Sequence, residues 1–169
     1  MPQLRILSPE ADAAPVFAAF EAADVDLLRQ APPIRSVAAA RFYVEHVAPN
    51  GWAIEHDGEF AGIVLATNRS SDHRSAWMSY WVSPRHRGLG LAAWALAAAS
   101  DLLFADDFFR LELGARVNNP ASVKTAERAG YVHEGISRAE LEYDGVRHDV
   151  VRMARLATDP KPRLESRQP

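Results

Sequence analysis

The segment MSYWVSPRHRGLGLAAWALAAA, residues 78–99, contains a strand, a loop and a helix in succession. Residues 78–82 are rich in aromatic and β-forming side chains and end before Pro84, which is typical of a buried strand. Residues 85–90 form a basic loop with two glycines, and the Ala- and Leu-rich run from Leu89 favours a helix. Because the first N–H groups of a helix have no partner within it, this arrangement indicates an anion-binding site.

The glycines and arginines of this loop favour a bound phosphate. Gly88 and Gly90 let the backbone approach an anion closely, and Arg85 and Arg87 add charge and planar donor groups. A dinucleotide-binding fingerprint needs a third glycine where this chain has Ala93, so that motif is excluded. A glycine-rich turn with solvated arginines is the structural alternative for the same segment.

Length and composition describe one globular domain. The chain has 169 residues, of which 48% are hydrophobic, and this is enough for a single core. It has no cysteine, which excludes disulfides and thiolate metal sites. The lack of a long apolar run or a signal-peptide pattern favours a cytoplasmic protein that does not enter a membrane. A net charge of −3 argues against a dedicated nucleic-acid-binding protein.

Charge is distributed unevenly along the chain. Residues 1–60 hold four arginines and nine acidic residues, whereas residues 61–169 hold fifteen basic and thirteen acidic residues. This distribution fits a solvated acidic surface. It also fits an acidic entrance for cationic amines beside a site for a polyanionic cofactor.

The order of the predicted elements indicates a mixed α/β sheet. We expect strands over 3–7, 52–56, 60–67, 74–82, 109–117, 131–143 and 146–156, and helices over 12–30 (one or two), 37–47, 89–105 and 121–129. Within the second helical region, Phe42 and Val47 are expected to face inward. Asn119 followed by Pro120 is a helix start, because it combines a capping side chain with proline at the first helical position. Residues 157–169 are expected to form a flexible tail.

The basic loop resembles the pyrophosphate loop of the GNAT superfamily of acyl-CoA-dependent N-acyltransferases. Its spacing, Arg85-x-x-Gly88-x-Gly90, matches the pattern Arg/Gln-x-x-Gly-x-Gly/Ala of that superfamily. The resemblance covers about residues 3–156. It implies a single α/β (α+β) domain over residues 1–156, in which a mixed, mostly antiparallel sheet splays into a V flanked by about four helices.

A second motif resembles the RimJ/RimL-like branch of this superfamily, which includes ribosomal-protein N-terminal acetyltransferases. The segment VNNPAS ends a predicted strand and contains Asn-x-x-Ser, with Asn119 and Ser122 at its ends. A helix and the pairs Gly130-Tyr131 and Glu134-Gly135 follow, as in that branch.

The resemblance implies acetyl-CoA as co-substrate, bound in the V between two strands. The backbone of the strand that ends at Val82 would pair with the pantetheine, and the basic loop would hold the pyrophosphate. Asn119 and Ser122 would reach the cofactor from the other arm. A helix cap explains Asn119 equally simply, whereas for Ser122 the cofactor role is favoured over a local backbone contact. The cofactor-binding residues implied in this way are Trp81, Val82, Arg85, Arg87, Gly88, Leu89, Gly90, Leu91, Asn119 and Ser122.

The implied chemistry is transfer of an acetyl group to a primary amine by direct attack. The acceptor would be a protein N-terminus or a small-molecule amine. Many members of the superfamily have a general-acid tyrosine where this chain has Ala126. Ser122 is therefore the candidate to stabilise or protonate the leaving thiolate, and Glu140 is the candidate base, with Glu142 as a weaker one.

Other titratable residues are given structural roles. His73 and His86 are expected on the surface, and Tyr80 is expected either to pack in the core or to act as an acid. No His-Glu spacing indicates a metal site. Two alternatives remain for the function: an acyl-CoA-binding module without turnover, and the same fold with another acyl donor such as succinyl-CoA. The chain would act as a monomer or a homodimer.

Overall fold

A seven-stranded sheet forms the centre of the molecule. The computed structural model describes residues 1–29 and 33–164. The strands lie in the order β1-β2-β3-β4-β5-β7-β6. They are β1 (Pro2–Ile6), β2 (Gly51–His56), β3 (Glu59–Ser70), β4 (Ser75–Val82), β5 (Arg110–Arg116), β6 (Val132–Tyr143) and β7 (Val146–Leu156).

Helices cover both faces of this sheet. Those in the described residues are α1 (Pro9–Glu21), α2 (Val25–Leu28), α3 (Val37–Phe42), α4 (Leu91–Ala105) and α5 (Pro120–Arg128), and α3 continues into a π-helical turn, Tyr43–Val47. None of the helices in this part of the chain is long and apolar enough to cross a membrane. The mixed α/β fold expected from the order of elements is therefore confirmed.

The sheet is split by one short parallel contact. All neighbouring strands are antiparallel except β4 and β5. These two run parallel and pair only over Ser75–Trp77, opposite Arg110–Glu112. Beyond Trp77 they separate, while β4 stays paired with β3 and β5 with β7. The predicted V is thus present, and it opens between the two expected strands.

Side chains alternate between two apolar layers along the central strands. Val64 and Ala66 of β3 join the core cluster around α4, whereas Ile63 and Leu65 face the cluster formed with α1 and α3. Trp81 lies in this second layer, with its ring centroid 5.4 Å from that of Phe20. The sheet is therefore buried on both faces in its middle, which fixes the direction of β4.

The inward orientation expected for Phe42 and Val47 is wrong. Both side chains are exposed, whereas Ala40, Tyr43 and Val44 are buried. These three follow the i, i+3, i+4 spacing of a buried helical face, and Phe42 lies beside that face, where its ring stacks on His46. The π-helical turn then carries Val47 away from the core.

Two hairpin turns agree with their sequences. The residues of the Asp-Gly pair at 57–58 have φ angles of 52° and 81°, and those of the pair at 144–145 have 52° and 77°. Tight hairpins require positive φ at both central residues, and Asp-Gly supplies it at low cost. The turn residues themselves therefore fix the register of β2 with β3, and of β6 with β7, next to each turn.

The predicted tail falls partly on residues 165–169, which lie outside the described residues. Within 157–164, the Lys161 ammonium lies 3.4 Å from the Asp101 carboxylate, and Leu164 packs against the core cluster around α4. The flexibility of the segment stays a prediction, as does the boundary of the domain at residue 156.

Candidate functional site

A cavity of about 520 Å³ lies where β4 and β5 separate. Residues 77–82 form one wall and residues 113–116 form the other. The N-terminal end of α4, the inner face of α5 and part of α2 complete the lining. The V of the sheet therefore produces a binding site directly, because two diverging strands leave their facing edges uncovered.

The glycine loop brings backbone N–H groups to one end of this cavity. Gly88 and Gly90 have φ angles of 80° and 78°, which other residues adopt only under strain. Gly90 caps α4 without a side chain, so Leu91, Ala92 and Ala93 begin the helix at the cavity wall. The unpaired N–H groups of this first turn and the helix dipole make the end of the cavity attractive to an anion.

The two arginines of the loop differ in position. Arg87 lines the cavity and holds Asp24 through two hydrogen bonds, one of 2.9 Å from Nη2 to Oδ1. This contact lowers the pKa of Asp24 below its ordinary value. Arg85 does not line the cavity and lies 3.4 Å from the Glu59 carboxylate. The exposed Leu89 is also absent from the lining, so the loop faces the cavity mainly with its backbone.

His86 is buried, so the expectation of a surface histidine is wrong for this residue. Its Nδ1 lies 2.7 Å from the Ser83 hydroxyl, within the short 3₁₀ turn Pro84–His86. The ring thus points inward and braces the start of the loop. Its partner is only three residues away, but nothing in the sequence alone distinguished an inward ring from a solvated one.

Arg128 joins the loop from α5 and was not anticipated from the sequence. Its guanidinium Nη2 lies 3.6 Å from the position that a Cβ on Gly90 would occupy, and the side chain lines the cavity. Ser122, Thr125 and Arg128 follow the i, i+3, i+6 spacing of one helical face. Arg128 could have been predicted from the sequence by this spacing, because it lies on the same helical face as Ser122.

Backbone groups of β4 face the cavity beyond the paired segment. The N–H of Ser83 donates to the carbonyl of Ala61 on β3, at 2.8 Å. Because backbone groups alternate along a strand, those of Trp81 also face β3, and those of Tyr80 and Val82 face the open side. The Val82 carbonyl accepts a bond of 3.3 Å from Arg87 Nε, which leaves the N–H groups of Tyr80 and Val82 directed at the cavity.

Ser122 lies in the first turn of α5, within hydrogen-bond distance of a half-buried tyrosine. Asn119 caps the helix, since its Oδ1 accepts from the Ser122 N–H at 3.2 Å, and it also lines the cavity. The Ser122 hydroxyl lies 2.9 Å from the Tyr80 hydroxyl. Burial raises the pKa of Tyr80, so this phenol stays protonated at neutral pH. The geometry brings together two hydroxyls that the sequence analysis treated separately.

The structure does not bring Glu140 to the cavity. Its carboxylate accepts a bond of 3.2 Å from Arg152, and Glu142 pairs with Arg147. A bulge in β6 around Ala139, which has a φ angle of 52°, precedes both residues. The residues that alternate with them, Leu141 and Tyr143, line the cavity instead. Among the residues that the structure describes, Asp26 of α2 is the carboxylate in the lining.

Comparison with known proteins gives one family. A family model described as "Acetyltransferase (GNAT) family" matches residues 17–131. The putative ribosomal N-acetyltransferase YdaF of Bacillus subtilis is 32% identical over 101 residues, which are 57% of this chain and 53% of that protein. The spermidine N(1)-acetyltransferase of Vibrio cholerae is 31% identical over 121 residues, 71% of this chain and 65% of that protein. The matches thus span between about half and two thirds of the length of these relatives.

A solved structure extends the similarity to the whole fold. Mycobacterium smegmatis RimJ in complex with CoA-disulfide superimposes with a TM-score of 0.77 at 29% sequence identity. The superposition covers 92% of this chain and 82% of the RimJ chain.

Proposed function

Because this chain belongs to the GNAT acetyltransferase family, we propose that it transfers an acetyl group from acetyl-CoA to a primary amine. The similarity to the RimJ/RimL-like branch predicted from the sequence is confirmed by the relatives. The observation that carries the proposal is the cavity, which combines an anion-binding helix start with an open strand edge. CoA has the matching groups in the same order, because its pyrophosphate is joined to an extended pantetheine chain that carries amides.

The cofactor would bind along the wall formed by β4. The N–H groups at the start of α4 and the guanidinium of Arg128 bind the pyrophosphate, and the backbone of Tyr80 and Val82 pairs with the pantetheine amides. Of the residues implied from the sequence, Trp81, Val82, Arg87, Gly88, Gly90, Leu91, Asn119 and Ser122 line this cavity, whereas Arg85 and Leu89 do not. Arg85 would act at most as an outer positive charge.

The cavity has groups that can stabilise the oxyanion and the leaving thiolate and accept the proton of the amine. The amine attacks the thioester carbonyl carbon, so a C–N bond forms, the C–S bond breaks and the amine loses a proton. The Val82 N–H stabilises the oxyanion, and the Ser122 hydroxyl donates a proton or a hydrogen bond to the leaving thiolate. Glu140, the base predicted from the sequence, would have to leave Arg152 and cross to the other face of β6. Asp26 is better placed to accept the proton of the amine.

The relatives do not decide the acceptor. One is named for ribosomal proteins and the other for spermidine. A cytoplasmic location, and a monomeric or dimeric state, stay predictions from the sequence.

A thiol-release assay tests the proposed function. Purified protein and acetyl-CoA are incubated with peptides, amino acids, amino sugars and polyamines, and free CoA thiol is measured. We expect release that depends on one class of acceptor. No release with any amine, from protein that binds acetyl-CoA tightly in calorimetry, would contradict acetyl transfer and favour a module that binds acyl-CoA without turnover. Succinyl-CoA in parallel tests the alternative donor.

A further inference from the structure

We propose that the cavity holds a second anion site, which binds a carboxylate of the acceptor. The favoured acceptor is then an amine that also carries a carboxylate, and this inference rests on the acetyl transfer proposed above. Among the described residues, the cavity lining contains four arginines and one carboxylate, and the arginines are Arg29, Arg87, Arg116 and Arg128. A cavity built for a polyamine would show the reverse balance of charge.

The four arginines form two groups. Arg87 and Arg128 belong to the glycine loop, where the cofactor phosphates would neutralise them. Arg29 and Arg116 lie together on the ring of Tyr143, with their guanidinium carbons 4.9 Å and 5.4 Å from the ring centroid. The cofactor phosphates would therefore not neutralise the second pair. Both guanidinium groups would attract an anion that enters the cavity beside this ring.

The carboxylates that already contact this pair are weakly held. Arg116 Nη2 donates to Asp26 Oδ1 at 2.7 Å, and Arg29 Nη2 donates to Asp144 Oδ2 at 3.2 Å. The side chains of Asp26 and Asp144 are 58% and 88% exposed. Because both carboxylates are largely exposed, each can turn to solvent when an incoming carboxylate takes its place on the arginine. Within the described part of the chain these are the only hydrogen bonds that the two guanidinium groups donate, and each has five N–H donors.

Arg116 has the burial expected of a binding residue. Only 8% of its side chain is exposed, and it lines the cavity, so what remains accessible opens into the site. A buried guanidinium gains most from a bidentate carboxylate, because both partners lose their water on binding. A solvated surface arginine would not gain in this way.

The position of α2 makes this arrangement a fixed part of the fold. Leu27 is buried in the core cluster of α1 and α3, and Asp24 both caps α2 and binds Arg87. Asp26 and Arg29 are therefore held at the cavity by their neighbours. A substrate carboxylate that replaces Asp26 on Arg116 leaves the Asp26 carboxylate available for the ammonium proton, which links recognition of the acid to activation of the amine.

The first experiment compares matched acceptors in the thiol-release assay. Glycine, β-alanine and γ-aminobutyrate are compared with their methyl esters and with spermidine, and a peptide beginning Ser-Glu is compared with one beginning Ser-Gln. We expect kcat/KM to be roughly 10-fold or more higher for an acid than for its ester, which corresponds to one charged hydrogen bond. The amino-acid and peptide arms show which source of the carboxylate fits.

Substitutions assign the preference to the two arginines. Arg116→Met and Arg29→Met should each lower the ratio of kcat/KM for the acid to kcat/KM for its ester by roughly 10-fold or more, because only the acid loses a charged hydrogen bond. Arg41→Met is the control, because Arg41 pairs with Glu10 on the helical layer away from the cavity. If Arg116→Met does not fold, Arg29→Met, which removes the less buried arginine, still decides the question.

A binding measurement keeps this inference separate from the proposed function. Calorimetry of N-acetylglycine and its methyl ester, titrated into the CoA-saturated protein, requires no turnover. Tighter binding of the acid, lost in Arg29→Met, supports the anion site even when no thiol is released. Equal or tighter binding of the ester, a preference for spermidine, or an acid preference that survives both substitutions would overturn it.

Discussion

The hydroxyl oxygens of Tyr80 and Ser122 lie 2.9 Å apart, although β4 and α5 carry them and 42 positions separate them in the chain. The Tyr80 hydroxyl also lies 3.1 Å from the Ser122 carbonyl. The phenol is protonated at neutral pH, because burial raises its pKa. When the phenol donates its proton to the Ser122 hydroxyl rather than to the Ser122 carbonyl, the serine proton is left to point into the cavity, where a thiolate would form.

Removal of the serine hydroxyl should therefore act on turnover. We expect Ser122→Ala to lower kcat by roughly 10- to 100-fold, the range of one hydrogen bond to a charged group, with little change in the Kd of acetyl-CoA. Ser100→Ala is the matched control, because the Ser100 hydroxyl also lies 2.9 Å from a tyrosine, Tyr131, but within the core. Steady-state kinetics and calorimetry measure the two effects. Equal small changes in kcat and Kd would return Ser122 to a purely local role in the helix.

Tyr80→Phe should lower kcat less than Ser122→Ala does, because it affects only the orientation of the Ser122 hydroxyl proton. The ring and its packing remain, and only the bond that orients Ser122 is lost, so kcat should fall by roughly 3- to 10-fold. In the double variant with Ser122→Ala the Tyr80 substitution should cost nothing further, because its partner is already absent. Fully additive losses in kcat would show that the tyrosine acts independently.

Gly88→Glu should abolish CoA binding while the fold survives. The new carboxylate would repel the pyrophosphate, and no atom lies within 4 Å of the added Cβ, so strain comes only from the φ angle of 80°. Gly58→Glu carries the same strain at a φ angle of 81° in a hairpin turn, also in open space. Calorimetry with CoA should show no binding for the first variant and normal binding for the second. Unchanged affinity in Gly88→Glu would contradict the phosphate loop.

Arg128→Gln should weaken CoA binding by roughly 10-fold, since one charged contact to phosphate is lost. Lys124 is the matched control. It is the other basic residue of α5 and is exposed like Arg128, but it does not line the cavity. Lys124→Gln should leave the Kd unchanged. The affinity of Arg128→Gln should also depend less steeply on salt concentration than that of the unsubstituted protein. A similar loss of CoA affinity in both variants would indicate that Arg128 acts through the overall positive charge of α5 rather than through a contact with the phosphate.

The Asp24–Arg87 pair should make stability depend on acid pH. Arg87 lowers the pKa of Asp24, so the pair stabilises the folded state at neutral pH and loses this contribution as the pH falls through the lowered value. Asp24→Asn keeps the cap on α2 and removes the charge. Because Asp24 is about half exposed, the variant should lose only about 0.5 kcal/mol at pH 7 and less than that at pH 3, measured by urea unfolding. An equal loss at both pH values would assign the effect to the cap.

Features that depend on local chemistry were predictable from the sequence. Asp-Gly turns, the helix start at Asn119-Pro120 and the positive φ of Gly88 and Gly90 follow from the conformational preferences of a few neighbouring residues. The mixed sheet followed from the order of the elements, and its V followed from the family resemblance. At the turns, the helix start and the glycines, the residue types themselves restrict the backbone to one conformation.

Features that depend on distant packing were not predictable. Asp26 and Arg116 meet across 90 positions, and no local pattern on either side indicates the other. Glu140 lies in a bulge that inserts two extra residues into β6 between Ser137 and Leu141, and its carboxylate contacts Arg152 instead of lining the cavity. A bulge of this kind leaves no composition signal in an otherwise alternating strand.

The strand order also has a consequence for folding during synthesis. Every pairing except that of β5 with β7 joins strands that follow each other in the chain. The first arm, β1 to β4 with α4, can therefore assemble from residues that have already left the ribosome, since low contact order favours rapid association. The second arm is complete only when β7 emerges and the β6–β7 hairpin docks on β5. We expect a nascent chain to form its phosphate loop early and to gain a closed substrate cavity only when its synthesis is nearly finished.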